Sequence, residues 1–257
     1  MAFVICIVPF APLRKEDNHR SEMISQVLFG ETAELLEEGK SFSRIRCLYD
    51  GYEGWCQTGQ LTGIEDSVAE NSPEALTAEW DTVILLNNHP MHLPLGSSLG
   101  ILQRGKAMLG KYRISYNGEM LHPAVALFSA DAITSLAMQF LNTPYVWGGR
   151  SVMGIDCSGF VQQLFRFFNR RLPRDAYQQA ESGELVGFLQ EVRCGDLAYF
   201  DNEEGKIIHV GLLLNSDTII HASGKVRIDK IDNMGIVNSD TGERTHRLRI
   251  IKRYFQH

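Results

Sequence analysis

The chain lacks a long apolar run, a block of like charge and any pair of cysteines at C-x-x-C spacing. Each absence excludes something. Without about 20 consecutive apolar residues, no segment is expected to cross a bilayer as a helix. Without a basic cluster, and with a net charge of −6, the sequence gives no footing for nucleic acid. The five cysteines (Cys6, Cys47, Cys56, Cys157 and Cys194) are an odd count with no histidine pair at zinc-site distance. Neither a disulfide framework nor a structural metal is therefore expected, and no cofactor is implied. The N-terminal stretch MAFVICIVPFAPLRK is apolar first and basic afterwards, the reverse of a secretory signal, so a cytoplasmic location with no membrane partner is expected.

What is present is ordinary for a soluble globular protein: 257 residues, 44% hydrophobic and 22% charged. At about 150 residues per domain this length predicts one to three domains. Residues 1–65 read as short strands separated by turn residues. Phe3 to Val8 is a strand closed by Pro9. Val27-Leu28-Phe29 follows, then TAELLEE, which propensity alone leaves open between strand and helix. Phe42 to Tyr49 alternates approximately, and Asp50-Gly51 turns the chain into GYEGW. Strands at this spacing suggest a small β-barrel. The pattern SEMISQVLFGE followed by DGYEGW resembles the bacterial Src-homology-three-like barrels attached to cell-wall enzymes.

Residues 66–78 are polar and contain Pro73, which suits a linker. Runs such as TVILL, MHLPLGSSL and KYRISYNGEML then predict a second small β unit ending near 128. His89 and His92, beside Pro90 and Pro94, read as loop histidines rather than metal ligands. From Ser129 the period becomes 3.6. Ile133, Leu136, Ala137, Phe140 and Leu141 form one apolar helix face, Ser129 is the N-cap candidate, and Thr143-Pro144 ends the helix. A third domain over 129–257 is expected to start here.

Within it, YVWGGRSVMGIDCSGFVQQLF (145–165) places Cys157 directly after Asp156, at the end of a glycine-rich loop. Phe160, Val161, Leu164, Phe165 and Phe168 then repeat as a buried helical stripe. Cys157 is thus expected at a helix N-terminus, where free N–H groups and the macrodipole favour an anion. A histidine nearby would bring such a thiol down to roughly 3.5–7.5, and the same N–H groups suit an oxyanion. The base is sought among eight histidines. KIIHVGLLLNSDTIIHASG (206–224) reads as a hairpin turning at Asn215-Ser216-Asp217. With a three-residue loop, Leu214 pairs with Thr218, His221 faces Gly211, and His209 lies diagonally from His221 on the same face. A four-residue loop would reverse that parity. In the three-residue geometry His209 is the base and His221 orients it. His246 and His257, in polar or terminal surroundings, read as solvated.

Taken in order, YVWGG, DCSGFVQQLF, LPRDAYQQ, GDLAYF, HVGLLL and IIHASG resemble the NlpC-type cell-wall cysteine peptidases over about 129–254. The resemblance implies an α+β chain, with a papain-like peptidase domain after one or two small SH3-like β-barrels. It implies Cys157 as nucleophile, His209 as base and His221 as third residue. It also places Tyr145, Trp147, Asp156, Ser158, Arg174 and Asp175 near substrate. Asp156 either binds a substrate amine or caps the helix, Tyr145 and Trp147 either wall the cleft or pack, and Arg174 either meets a carboxylate or pairs locally with Asp175. Ala176 stands where relatives often carry serine. The implied reaction is hydrolysis between γ-D-glutamate and the diamino acid (L-lysine or meso-diaminopimelate) of peptidoglycan stem peptides. Barrels without an export signal resemble the dipeptidyl-peptidase branch, which acts on peptides with a free N-terminal L-Ala in murein recycling. Glu31 and Tyr52 are the barrel residues expected to narrow the cleft. The rival expectations are an exported wall-lytic endopeptidase with wall-binding barrels, and a non-catalytic peptidoglycan-binding protein. A permuted acyltransferase is disfavoured by the Cys-before-His order.

Overall fold

The computed structural model describes residues 2–72 and 74–255; the histidine at position 257 lies outside them. The chain forms two compact units. One comprises Met1–Ala126, Trp147–Met153 and Arg166–Arg171; the other comprises Leu127–Val146, Gly154–Phe165 and Leu172–His257. The expected 1–65 and 66–128 segments thus fall together in the first unit, save for its last two residues, and two short pieces of the C-terminal half join them.

The first unit contains β1 (Phe3–Cys6), β2 (Phe10–Arg14), β3 (Met23–Leu28), β4 (Thr32–Glu37), β5 (Phe42–Cys47), β6 (Glu53–Gln57) and β7 (Leu61–Ile64). These pair antiparallel in the order β3-β2-β6-β5-β4-β1-β7. The ambiguous TAELLE segment is the strand β4 because both its edges are taken: Ala33 sits opposite Val4 of β1 and opposite Cys47 of β5. Pairing on two sides overrides a weak helical propensity. The Asp50-Gly51 turn forms as expected, with Gly51 at φ +73° and the Asp50 carboxylate accepting the Tyr52 N–H. Cys6, Cys47 and Cys56 all lie in the apolar core of this sheet, with burial pushing each thiol up. After α1 (Asp66–Asn71), inside the segment expected to be linker, come β8 (Asp81–Leu86), β9 (His89–Pro94), β10 (Lys106–Leu109) and β11 (Tyr112–Ser115). They form a four-stranded sheet, β10-β11-β8-β9. His89 and His92 are therefore strand residues, not loop residues, and His92 Nδ1 lies 2.9 Å from Asp81. The strand β12 (Arg150–Ser151) completes this unit.

The second unit holds α2 (Ala130–Gln139), β13 (Gly154–Ile155), most of α3 (Cys157–Arg166), α4 (Ala176–Gln179), β14 (Glu184–Val186) and β15 (Leu197–Asp201). The strands β16 (Ile207–Leu213), β17 (Thr218–Ser223), β18 (Lys225–Asp232), β19 (Gly235–Val237) and β20 (Arg244–Arg253) follow. Ser129 caps α2 by accepting the Ala132 N–H, and Ile133, Leu136 and Ala137 are its buried face. Seven strands pair in the order β14-β20-β15-β16-β17-β18-β19, and β19 also pairs with β20. Helices beside an antiparallel sheet make this an α+β unit.

Candidate active site

Cys157 opens α3, and Asp156 immediately before it is the cap. The Gly159 N–H donates to Asp156 Oδ1 at 2.7 Å, the N-cap to N3 contact. The same carboxylate receives Arg174, from Nη1 to Oδ1 at 3.0 Å and from Nη2 to Oδ2 at 2.5 Å. Arg174 Nη1 also donates to Ser158 Oγ at 2.9 Å, and Ser158 Oγ lies 3.3 Å from Asp156 Oδ1. Asp156, Ser158 and Arg174 are all buried, and the charges of Asp156 and Arg174 balance each other inside the unit. Of the two roles expected for Asp156, the cap is present in the geometry. Arg174 meets Asp156, and Asp175 stands at the N-cap position of α4 without a side-chain capping bond.

Cys157 is only 6% exposed. Burial and the Asp156 carboxylate push it up to about 12, against a smaller pull from the Val210 N–H, Arg174 and the Ser158 N–H. The direction is opposite to that expected for a helix-start cysteine. The physical reason is that desolvation of a fully enclosed sulfur outweighs the dipole of a ten-residue helix. Tyr145 faces the same group: burial and then the Cys157 and Asp156 charges raise its phenol.

The hairpin register is the one that a three-residue turn requires. Gly211 lies opposite His221, Leu212 opposite Ile220, and the Leu214 N–H donates to Thr218 O. His209 Nε2 and His221 Nδ1 are 2.8 Å apart. Gly211 is what admits this contact, since a Cβ there would stand 2.8 Å from the His221 Cβ. Burial lowers the His209 imidazole well below its ordinary value, with His221 and His246 adding to the effect. The backbone of Val210, next to His209, is among the groups that pull the Cys157 thiol down, so the thiol is near the strand that carries His209.

Two residues at this site were not anticipated. His221 Nε2 lies 3.0 Å from Asp229 Oδ2 on β18. Asp229 is the diagonal neighbour of His221, because His221 pairs with Arg227 and Ile219 with Asp229. The same diagonal counting that joined the two histidines would have found it across the Gly224 turn. The second is His246 on β20. It is half-buried rather than fully solvated, and its ring stacks on His209 at 4.1 Å between centroids and 26° between planes. Burial, with His221 adding, brings His246 down to about 4.

The remaining expected residues belong to the first unit. Trp147 is 61% exposed, and its indole N–H donates to Glu22 Oε1 at 2.8 Å. Glu31 is buried, with Arg150 Nη1 2.9 Å from Oε2 and Arg166 Nη1 2.5 Å from Oε1. Its Oε2 also accepts the Leu28 N–H. Both carboxylate oxygens are thus engaged by donors of its own unit. Tyr52 packs at the edge of the core of the seven-stranded sheet. Among the described residues, no group of three or more His, Cys, Asp or Glu is arranged to hold a metal.

Comparison with known proteins gives two family matches. Residues 142–245 match the NlpC/P60 family, and residues 13–61 match the bacterial dipeptidyl-peptidase Sh3 domain. A Bacillus subtilis protein named gamma-D-glutamyl-L-lysine dipeptidyl-peptidase is 42% identical over 215 residues, covering 77% of this chain and 71% of the relative. A Bacillus cereus protein of the same name is 28% identical over 240 residues, covering 84% and 70%. The crystal structure of an NlpC/P60 family protein from Bacillus cereus superposes with a TM-score of 0.82 at 18% identity, over 98% of this chain and 99% of that one.

Proposed function

The chain belongs to the NlpC/P60 family of cysteine peptidases, and on that premise we propose that it hydrolyses the bond between γ-D-glutamate and the diamino acid of peptidoglycan stem peptides. The observation that supports this is the 2.8 Å contact between His209 and His221, both buried in the same unit as buried Cys157; in this reading His209 Nδ1 is the nitrogen that exchanges a proton with the thiol. The thiol and the imidazole rest neutral, since burial opposes charge on both. As the carbonyl carbon of the γ-glutamyl amide approaches, His209 takes the thiol proton and the sulfur forms the C–S bond. The oxyanion is met by backbone N–H groups at the start of α3. His209, now protonated, hands its proton to the leaving amine of the diamino acid. Water then enters, His209 takes one of its protons, and collapse of the second oxyanion releases the γ-carboxylate and restores the thiol.

The name of the relatives, a dipeptidyl-peptidase, motivates a finer reading: release of L-Ala-γ-D-Glu from peptides whose N-terminal L-Ala is free. Such peptides are products of wall turnover, so the place of action is peptide recycling in the cytoplasm. An acylated amine adds bulk and removes a charge from the end of the substrate that the enzyme measures. With the added bulk and the lost charge, kcat/KM is expected to fall about a hundredfold or more. The test is mass spectrometry of products from L-Ala-γ-D-Glu-L-Lys, its diaminopimelate analogue and the N-acetylated peptide. Equal rates with and without the acetyl group would replace this reading by a wall-lytic endopeptidase.

A further inference from the structure

We propose that Asp229 is a positioning residue for the reaction, fixing the tautomer of His221 and, through it, that of His209. The inference rests on the roles given above to Cys157, His209 and His221. A carboxylate can only accept, so the His221 ring nitrogen 3.0 Å from Asp229 Oδ2, Nε2, carries the hydrogen. In a neutral imidazole the other nitrogen is then a lone pair, and His221 Nδ1 must accept. The nitrogen 2.8 Å away, His209 Nε2, therefore donates. His209 Nδ1 is left unprotonated, as a base for the thiol requires. One carboxylate thus sets the proton on every ring nitrogen of the line.

The surroundings of Asp229 suit that task. It is 3% exposed, so water does not compete for Oδ2. Its Oδ1 accepts the Ser239 N–H at 2.8 Å and Arg227 Nη2 at 2.9 Å, and Arg227 Nε lies 2.8 Å from Oδ2. Arg227 is itself paired with Asp240 at 2.9 Å. Burial alone would raise the carboxyl, but hydrogen bonds from His221, Arg227 and Ser239 hold it well below the ordinary range. It stays an acceptor at every pH where the enzyme could work. The rotamer is pinned by the Ser239 N–H and Arg227 Nη2 on Oδ1, while the oxygen facing His221 is shared with Arg227 Nε.

That pinning makes Asp229→Asn more informative than a deletion. The Ser239 N–H and Arg227 Nη2 both donate at the Oδ1 position, against the single Arg227 Nε near Oδ2, so the amide oxygen takes the Oδ1 place and the NH2 turns toward His221 Nε2. His221 would then accept at Nε2, carry its hydrogen on Nδ1, and force His209 Nε2 to accept. His209 Nδ1 would hold the hydrogen against the thiol, the wrong tautomer. For a serine-protease triad this kind of inversion costs about 10⁴ in kcat. Here the carboxylate is one ring further from the nucleophile, where outer partners are typically worth about 10–100-fold.

The experiment compares wild type, Asp229→Asn, His221→Ala and the double variant. It measures kcat and KM, the rate of Cys157 alkylation by iodoacetamide, and the ¹⁵N shifts of the histidine rings. Asp229→Asn is expected to lower kcat about 30-fold or more with KM within about threefold, to slow alkylation, and to exchange the protonated nitrogens of His209. In the His221→Ala background it is expected to change alkylation by less than about twofold, because its only route to the thiol is gone. Unchanged kcat and ring shifts would overturn the proposal. So would a loss of the same size in the His221→Ala background, which would mark Asp229 as mere support for its strand. If wild type failed to cleave the peptides while alkylation and ring shifts behaved as expected, the substrate assignment would fall and the relay would stand.

Discussion

At the residue scale, the five cysteines separate by environment. Cys6, Cys47 and Cys56 are held in the apolar core of the seven-stranded sheet, and Cys194 contacts Thr134 and the Ala130 carbonyl. Only Cys157 combines a helix start, an adjacent acid that caps that helix and, in the same unit, a buried pair of histidines in contact. Turnover is expected to be abolished by Cys157→Ala and by Cys157→Ser, while alanine or serine at the other four leaves kcat within about threefold at matched folded fraction. His209→Ala is expected to cost more than His221→Ala, since the base moves protons and its neighbour orients it. His221→Gln should recover part of the loss, because an amide oxygen can accept from His209 Nε2. Steady-state kinetics on the tripeptide decide the order, and the reverse ranking would exchange the two roles.

At the element scale, strands and turns were legible where local chemistry is decisive. The hairpin register followed from one three-residue turn and period-2 alternation, and Ser129 capped the helix expected to follow it. What was not legible came through contacts distant in sequence. β20 carries His246 to the face of His209 by pairing with β15, after the intervening strands have been laid down. Glu31 meets Arg150 and Arg166, 119 and 135 residues away, and no local pattern encodes such partners. Their side chains are at most 4% exposed, so the cluster is a buried ion network within the first unit. Removing one partner leaves charge without compensation, at a cost of about 3–5 kcal/mol. Glu31→Gln is therefore expected to lower the stability of that unit by about that amount in urea or guanidinium unfolding. A variant as stable as wild type, with a selective rise in KM, would instead assign Glu31 to substrate.

At the scale of the whole molecule, the buried titratable groups dictate how stability responds to acid. His246 has a folded value near 4 against about 6.5 when free, and His209 is also well below its free value. Between those limits the unfolded chain binds protons that the folded chain refuses, so stability rises with pH. The contribution is complete above about pH 6.5 and is lost as pH falls through the folded values. Glu31 and Asp229 are depressed by their ion partners, which outweigh burial, and they add a second loss that begins only below about pH 4. Denaturant midpoints should hence be flat from pH 8 to 7, fall from about 6.5, and fall more steeply below about 4. His246→Phe keeps an aromatic ring against His209 but removes one of the two imidazoles responsible for the upper window. Its midpoint should therefore decline less between pH 6.5 and 4 than that of wild type, with the lower window unchanged. Equal slopes in the two proteins would mean that His246 takes up its proton in the folded chain, and the stack on His209 would not be the resting arrangement of the site.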